Sequence, residues 1–410
     1  MRLFHHSFLR VCSVLVLFSL LNIVYAQPAS AEGVAVEASV QYTFGGQIDF
    51  TAHVQADLPV KKALILFNPQ GEAETLVKPV FVTPPGDIKY QHDLTTRPIT
   101  AFSRIEYWFK ITLEDDVEYT SERFSFYYED NRYQWQVLED RPVRLHWYEG
   151  DQAFAQGVMD VAQEGLEQIR ALVPLPLPDW TNIYVYASSA EMQSTLRLSG
   201  MVWIAGHADP ELGVIVVALP NGPELRLITS QRIPHELMHI LLYQAIGKAY
   251  TNLPTWFSEG LASMAELDPN PDYDISLAQA VEEQNLIAIR DLCQQFPVDA
   301  AGNALAYAEA ARFTYFLYRK FGSSGLETLV AHYANGLGCE QAVQTAYNLS
   351  LTELETEWLK TSYTPEQQTP DHDLPPVWSW FAVLMLILCV SVIVGLVYLR
   401  KNRSVSEAGG

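Results

Sequence analysis

Positive charge is scarce in this 410-residue chain: 26 Lys and Arg stand against 48 Asp and Glu, a formal net charge of -22. A phosphate-binding surface needs clustered cations, so nucleic acid is excluded as a partner. Cysteine is scarcer, four residues in all. Cys12 and Cys389 lie in apolar stretches near the two ends, which leaves Cys293 and Cys339 as one possible pair. Neither has the spacing of a zinc site. A bond between them would close a long loop in an oxidising compartment, and two buried free thiols are the alternative. No internal repeat is visible, and long apolar runs occur only near the ends.

The first of those runs follows a basic start. Met1 to Arg10 carries the charge, Val11 to Val24 is apolar, and Val24-Tyr25-Ala26 closes on a small residue. That is the pattern of a secretory signal peptide over residues 1–26. The second run, Val377 to Leu399, has 23 residues and no charge. As a helix at ~1.5 Å per residue it covers the ~30 Å hydrocarbon core of a bilayer. Trp378, Trp380 and Tyr398 sit near its ends, and Arg400, Lys401 and Arg403 follow at once. Positive charge stays on the cytoplasmic side, so a single-pass cell-membrane protein is expected, with residues 400–410 as a cytoplasmic tail and everything before the span outside. Residues 363–376, rich in Pro, Gln and Asp, read as a stalk.

Two domains are expected between these ends. Over 33–130, short alternating segments are separated by turn clusters such as Gly45-Gly46, Asn68-Pro69-Gln70-Gly71 and Pro84-Pro85-Gly86-Asp87. Strands are expected near 35–42, 47–54, 63–67, 77–82, 105–113 and 121–128, a β-sandwich of immunoglobulin-like type. Over 140–362 the pattern is α+β. Strands are expected at 143–147, 182–186 and 214–219, with a helix at 153–171 between the first two. A helix from Ser230 to Gly247, starting near Pro234, precedes another entered at Pro254-Thr255. Further helices are expected near 275–290, 304–321, 323–335, 339–348 and from Leu351.

The chemistry concentrates in Pro234-His235-Glu236-Leu237-Met238-His239. Residues four apart on a helix share a face, so both imidazoles can reach one ion at ~2.0–2.1 Å while Glu236 points beside them at a bound water. Twenty residues past His239 comes Trp256-Phe257-Ser258-Glu259-Gly260-Leu261-Ala262. A helix packed beside the first would bring the Glu259 carboxylate to the same ion. Gly260 and Ala262 are small, as close approach of the two helices requires.

His235-Glu236-x-x-His239 with Glu259 downstream resembles the gluzincin metallopeptidases, the clan of thermolysin and aminopeptidase N. Its local wording is most similar to the peptidase MA-like family, over residues 140–360. The resemblance implies a gluzincin-like (thermolysin-like) α+β metallopeptidase domain, so the expected fold is an N-terminal immunoglobulin-like β-sandwich followed by that domain and a C-terminal transmembrane helix. It implies one zinc ion on His235, His239 and Glu259, Glu236 as general base, and a peptide or protein substrate. Ala306-Tyr307-Ala308-Glu309 resembles the helix start that carries a catalytic tyrosine, which would make Tyr307 an oxyanion donor. Three features depart from the clan. Ser263 stands four residues past Glu259, where a carboxylate often orients a ligand histidine; Glu266, one further turn on, could substitute for it, although a surface glutamate is the first reading. No Gly-x-Met-x-Asn motif precedes the helix, so free-amine recognition is not implied. No long C-terminal helical domain follows.

His207, His332, His146 and Arg312 read as ordinary structural or surface residues. The expected activity is hydrolysis of peptide bonds; the rival is a zinc-stabilised interaction or sensor module that cuts nothing. An intramembrane protease is excluded, because the motif is flanked by Arg232 and Lys248 and lies far from Val377–Leu399.

Overall fold

The computed structural model describes residues 33–199 and 208–363. The expected signal peptide, the apolar stretch Val377–Leu399, its basic tail, the stalk beyond Tyr363 and His207 lie outside the described residues. Among the described residues no helix is long and apolar enough to cross a membrane. They fall into two compact units, the first running to Gln134 and taking in 193–199, the second holding the rest.

The first unit is β-rich: β1 (Val34–Thr43), β2 (Gln47–Ala56), β3 (Val60–Pro69), β4 (Leu76–Thr83), β5 (Asp87–Asp93), β6 (Ser103–Leu113), β7 (Glu118–Thr120) and β8 (Phe124–Tyr128). The strands connect in the order β1-β2-β5-β4-β3-β6-β7, with β8 also on β6, and every pair is antiparallel. The first, second, fifth and fourth strands thus form one layer and the third, sixth and eighth the other, the order of a constant-type immunoglobulin sandwich. β4 joins the layers, because Leu76–Val80 pairs with β3 and Phe81–Thr83 with β5. Phe50 on β2 stands 5.4 Å from Phe67, 5.1 Å from Tyr107 and 6.1 Å from Phe126, so aromatic rings fill the space between them. The β1–β2 turn falls at Gly45, whose φ of 66° suits glycine.

The second unit opens on β9 (Gln136–Asp140) and β10 (Val143–Trp147), followed by α1 (Gln152–Leu172) and β11 (Thr181–Tyr186). Asp151 caps α1 by accepting from the Phe154 amide, and Val158, Val161, Leu166 and Ile169 line its buried face. After α2 (Ser189–Leu198), whose residues from Gln193 belong to the first unit, come β12 (Ala208–Asp209) and β13 (Val214–Ala218), completing a sheet in the order β12-β13-β11-β10-β9. Its middle pairs are parallel and its two edge pairs antiparallel. Six α-helices complete the described part of the unit: α3 (Leu225–Ile246), α4 (Thr255–Ala265), α5 (Asp272–Glu283), α6 (Ala300–Ala334), α7 (Cys339–Tyr347) and α8 (Leu351–Tyr363). Gly322, at φ 70°, breaks α6 where two helices were expected. Cys293 and Cys339 form a disulfide that closes a loop around α6.

One boundary differs with consequence. α3 begins nine residues before Pro234, which sits inside the helix. Proline has no N–H to give to the carbonyl four residues back, here Ser230. That carbonyl accepts instead from the Leu267 amide at 3.0 Å, just past the end of α4.

Candidate active site

α3 presents His235, Glu236 and His239, and α4 presents Glu259. A six-residue 3-10 turn, Gly247–Asn252, joins the two helices. The start of α4 is held from outside: the Thr255 amide donates to the Cys293 carbonyl at 3.0 Å and its hydroxyl to Gln294 at 2.7 Å. Gly260 lets α4 lie against α6. A Cβ there would stand 2.1 Å from Thr314 Oγ1 and 2.6 Å from the Ala310 carbonyl. The small residue expected to admit α3 serves the opposite neighbour.

The two imidazole Nε2 atoms and Glu259 Oε2 converge. Oε2 lies 3.4 Å from His235 Nε2 and 3.8 Å from His239 Nε2, and one atom from each residue falls within 4.8 Å of the others. A tetrahedral zinc with ~2.0–2.1 Å bonds spaces its donors about 3.3 Å apart. Two nitrogens and one carboxylate are also the donor set of catalytic zinc sites that keep a fourth position open. The residues fit the ion.

Each histidine is held through its other nitrogen. His235 Nδ1 lies 3.2 Å from Glu266 Oε1, and His239 Nδ1 lies 2.9 Å from the Tyr250 hydroxyl. Burial opposes charge on His235, but hydrogen bonds to Glu259 and Glu266 outweigh it and raise its pKa to about 10. Burial keeps His239 below its ordinary value. Glu259 feels burial in the opposite direction, yet the histidines and Tyr307 hold its carboxyl below the usual range. Glu236 is buried, and its charge acts on both imidazoles and on Tyr250 and Tyr307.

Residues 161–364, which include all of these groups, match the Peptidase MA superfamily. This domain belongs to the peptidase MA superfamily. Solved structures similar to the chain include a two-domain M1 zinc metallopeptidase mutant bound to L-arginine, at 12% identity, 80% of this chain, 94% of that one and TM-score 0.35. An aminopeptidase N family protein from Idiomarina loihiensis is similar at 10% identity, 80% of this chain, 71% of that one and TM-score 0.32. A carbohydrate-binding module of family 56 that binds β-1,3-glucan is similar at 8% identity, 22% of this chain, 98% of that one and TM-score 0.17. No curated protein matches.

Around the metal triad the peptidase MA domain departs from the sequence reading in two places. Glu266 is no surface residue: it is 6% exposed and occupies the histidine-orienting position that Ser263 left open. Seven residues after Glu259, it lies two helical turns along the same face, the spacing on which the sequence offers it as the substitute for Ser263. Tyr250, in the turn between the helices, was not anticipated, and no sequence pattern marks it. Tyr307 does reach the cluster. Its ring stands 6.4 Å from that of His235 and packs on Phe296 at 5.0 Å, and its hydroxyl is near enough to Glu259 for that carboxylate to act on its pKa. Burial, then the Glu259 and Glu236 charges, push its pKa far up, so it stays a donor. His146 and Arg312 take no part. His146 stacks on Tyr184 at 4.2 Å within the sheet, and Arg312 pairs with Asp274 at 2.7 Å. His332 lies on the last turn of α6.

Proposed function

We propose that this chain is a zinc-dependent peptidase that hydrolyses peptide bonds in peptide or protein substrates outside the cell, tethered to the membrane through Val377–Leu399. The observation that carries the reading is the convergence of His235, His239 and Glu259 on one point with buried Glu236 beside it. Zinc bound there supplies Lewis acidity, acidifying water and polarising a carbonyl. Glu236 accepts a proton at its carboxylate and returns it to the leaving amine. Tyr307 offers a protonated hydroxyl to the negative oxygen that develops at the attacked carbonyl. Glu266 and Tyr250 fix the two imidazole planes, as outer partners of metal ligands do. The Cys293–Cys339 bond suits an oxidising compartment, which supports the external placement.

The rival reading, a zinc-stabilised module without activity, leans on Ser263 and on the tyrosine; Glu266 at 3.2 Å from His235 and the Tyr307 ring 6.4 Å from that of His235 weaken both supports. The deciding experiment compares the full-length protein with Glu236→Gln for metal content and for cleavage of a mixed peptide library, with and without chelator. The variant is expected to keep its zinc and lose about 10²–10⁴-fold in rate. Retained turnover refutes Glu236 as base, and bound zinc with no peptide cut by the wild type refutes the peptidase.

A further inference from the structure

The working face of α3 carries one more charged residue. At 3.6 residues per turn, His235, His239 and Glu236 span an arc of about 100°, and Arg232 falls inside it, about 60° around from His235. It sits one turn, about 5.4 Å, nearer the start of the helix than Glu236. Arg232 is exposed, and one of its terminal nitrogens donates to the Ala218 carbonyl at 3.1 Å, at the end of β13. Arg226, earlier on the same helix, pairs with Glu164 at 2.9 Å. Among the described residues Arg232 has no such carboxylate partner, in a chain where acids outnumber bases 48 to 26.

A guanidinium offers a rigid fork of donors matched to a carboxylate, and it cannot lose its charge. The bond to Ala218 uses one donor and holds the side chain against β13, leaving the rest of the fork available. An extended peptide advances ~3.3–3.6 Å per residue, so a group one helical turn away meets a substrate one or two residues from the bond being cut. We propose that Arg232 is a specificity-determining residue that binds a substrate carboxylate at that distance, either an Asp or Glu side chain or a free C-terminus. This rests on the peptidase reading above.

The test uses the zinc-loaded full-length protein and two sets of paired peptides. One set differs as Glu against Gln at positions flanking the cut, the other as a free C-terminal acid against its amide. Wild type is expected to favour the charged member of a pair by about 10- to 100-fold in kcat/KM, the strength of charge-assisted hydrogen bonds. Arg232→Gln is expected to collapse that ratio, Arg232→Lys to restore part of it, and Arg232→Glu to favour Lys at the same position. The set that shows the ratio identifies the source of the carboxylate. Equal ratios in wild type and Arg232→Gln overturn the proposal and leave the peptidase intact. A residue that merely straps α3 to β13 would lower thermal stability and both rates together, with the ratio unmoved, and this too overturns it. Should wild type cut nothing, equilibrium binding of the same peptides to zinc-loaded Glu236→Gln and Glu236→Gln/Arg232→Gln decides. Charge-selective binding that disappears with Arg232 supports the subsite, and unselective binding overturns it.

Discussion

At the scale of single residues the two histidines of the His-His-Glu cluster are held unequally. A histidine that binds metal through Nε2 keeps its proton on Nδ1 and must donate it. His235 donates to a carboxylate, Glu266, and His239 to a phenol, Tyr250. A charged acceptor makes the imidazole a stronger ligand than a neutral one does. Glu266→Gln keeps the volume and removes the charge, so zinc affinity should fall about 10- to 100-fold in chelator competition. Unchanged affinity would show that Glu266 does not tune the site. The His-Glu-x-x-His set with Glu259 was legible because its spacing follows from helix geometry. Glu266 was legible only as an alternative, because Leu267-Asp268-Pro269 after it resembles an exposed helix end, and Tyr250 was hidden by the absence of any periodic signal in a short turn.

Between elements, Pro234 connects the two helices that carry the His-His-Glu cluster. The Ser230 carbonyl it frees binds the Leu267 amide, and the adjacent residue is Glu266. Pro234→Ala restores an N–H inside α3, which then competes with Leu267 for that carbonyl. Helix propensity favours alanine by up to ~3 kcal/mol, offset by lost packing where Pro234 presses on Gly165 of α1. Thermal stability should therefore change little while zinc affinity drops by about tenfold or less. Parallel melting and chelator titrations check it, and unaltered affinity would disconnect Pro234 from Glu266. The same residue shows why one boundary was misplaced: proline is favoured at a helix's first position, so it reads as a start. The first half of α3, with Arg226, Thr229, Ser230 and Gln231, has too little apolar periodicity to contradict that. β5 escaped notice because Asp-Ile-Lys-Tyr-Gln-His-Asp buries only Ile88 and His92, a faint alternation. α1, β10, β11 and β13 were legible, each with a strong apolar pattern on its buried positions.

For the molecule as a whole, two acids on the helical side control stability against pH. Glu309 on α6 accepts from the Ile287 amide at 2.8 Å, and Glu355 on α8 from Ile289 at 3.0 Å, so two helices grip one connecting segment. Burial raises Glu309 from 4.5 to about 8, and the Glu355 charge adds to the rise. The folded chain therefore holds this proton more tightly than the unfolded chain. Its stabilising effect is complete below pH about 4.5 and is lost as pH climbs to about 8. Glu309→Gln keeps an acceptor for Ile287 and has no charge to bury. It should be the more stable form above pH 8, by on the order of 3 kcal/mol, with a flatter dependence of melting temperature on pH. Equal pH profiles for the two proteins would rule out Glu309 as the source.

The sulfur bridge from Cys293 to Cys339 turns residues 293–339, the whole of α6 among them, into a covalent ring. Within the ring lies Val298, 99% exposed and an open invitation to a neighbouring protease. A single cut there would yield two polypeptides by sequence and still one body by bonding. Tyr307 and the wall behind Gly260 would stay in place until a reductant released them.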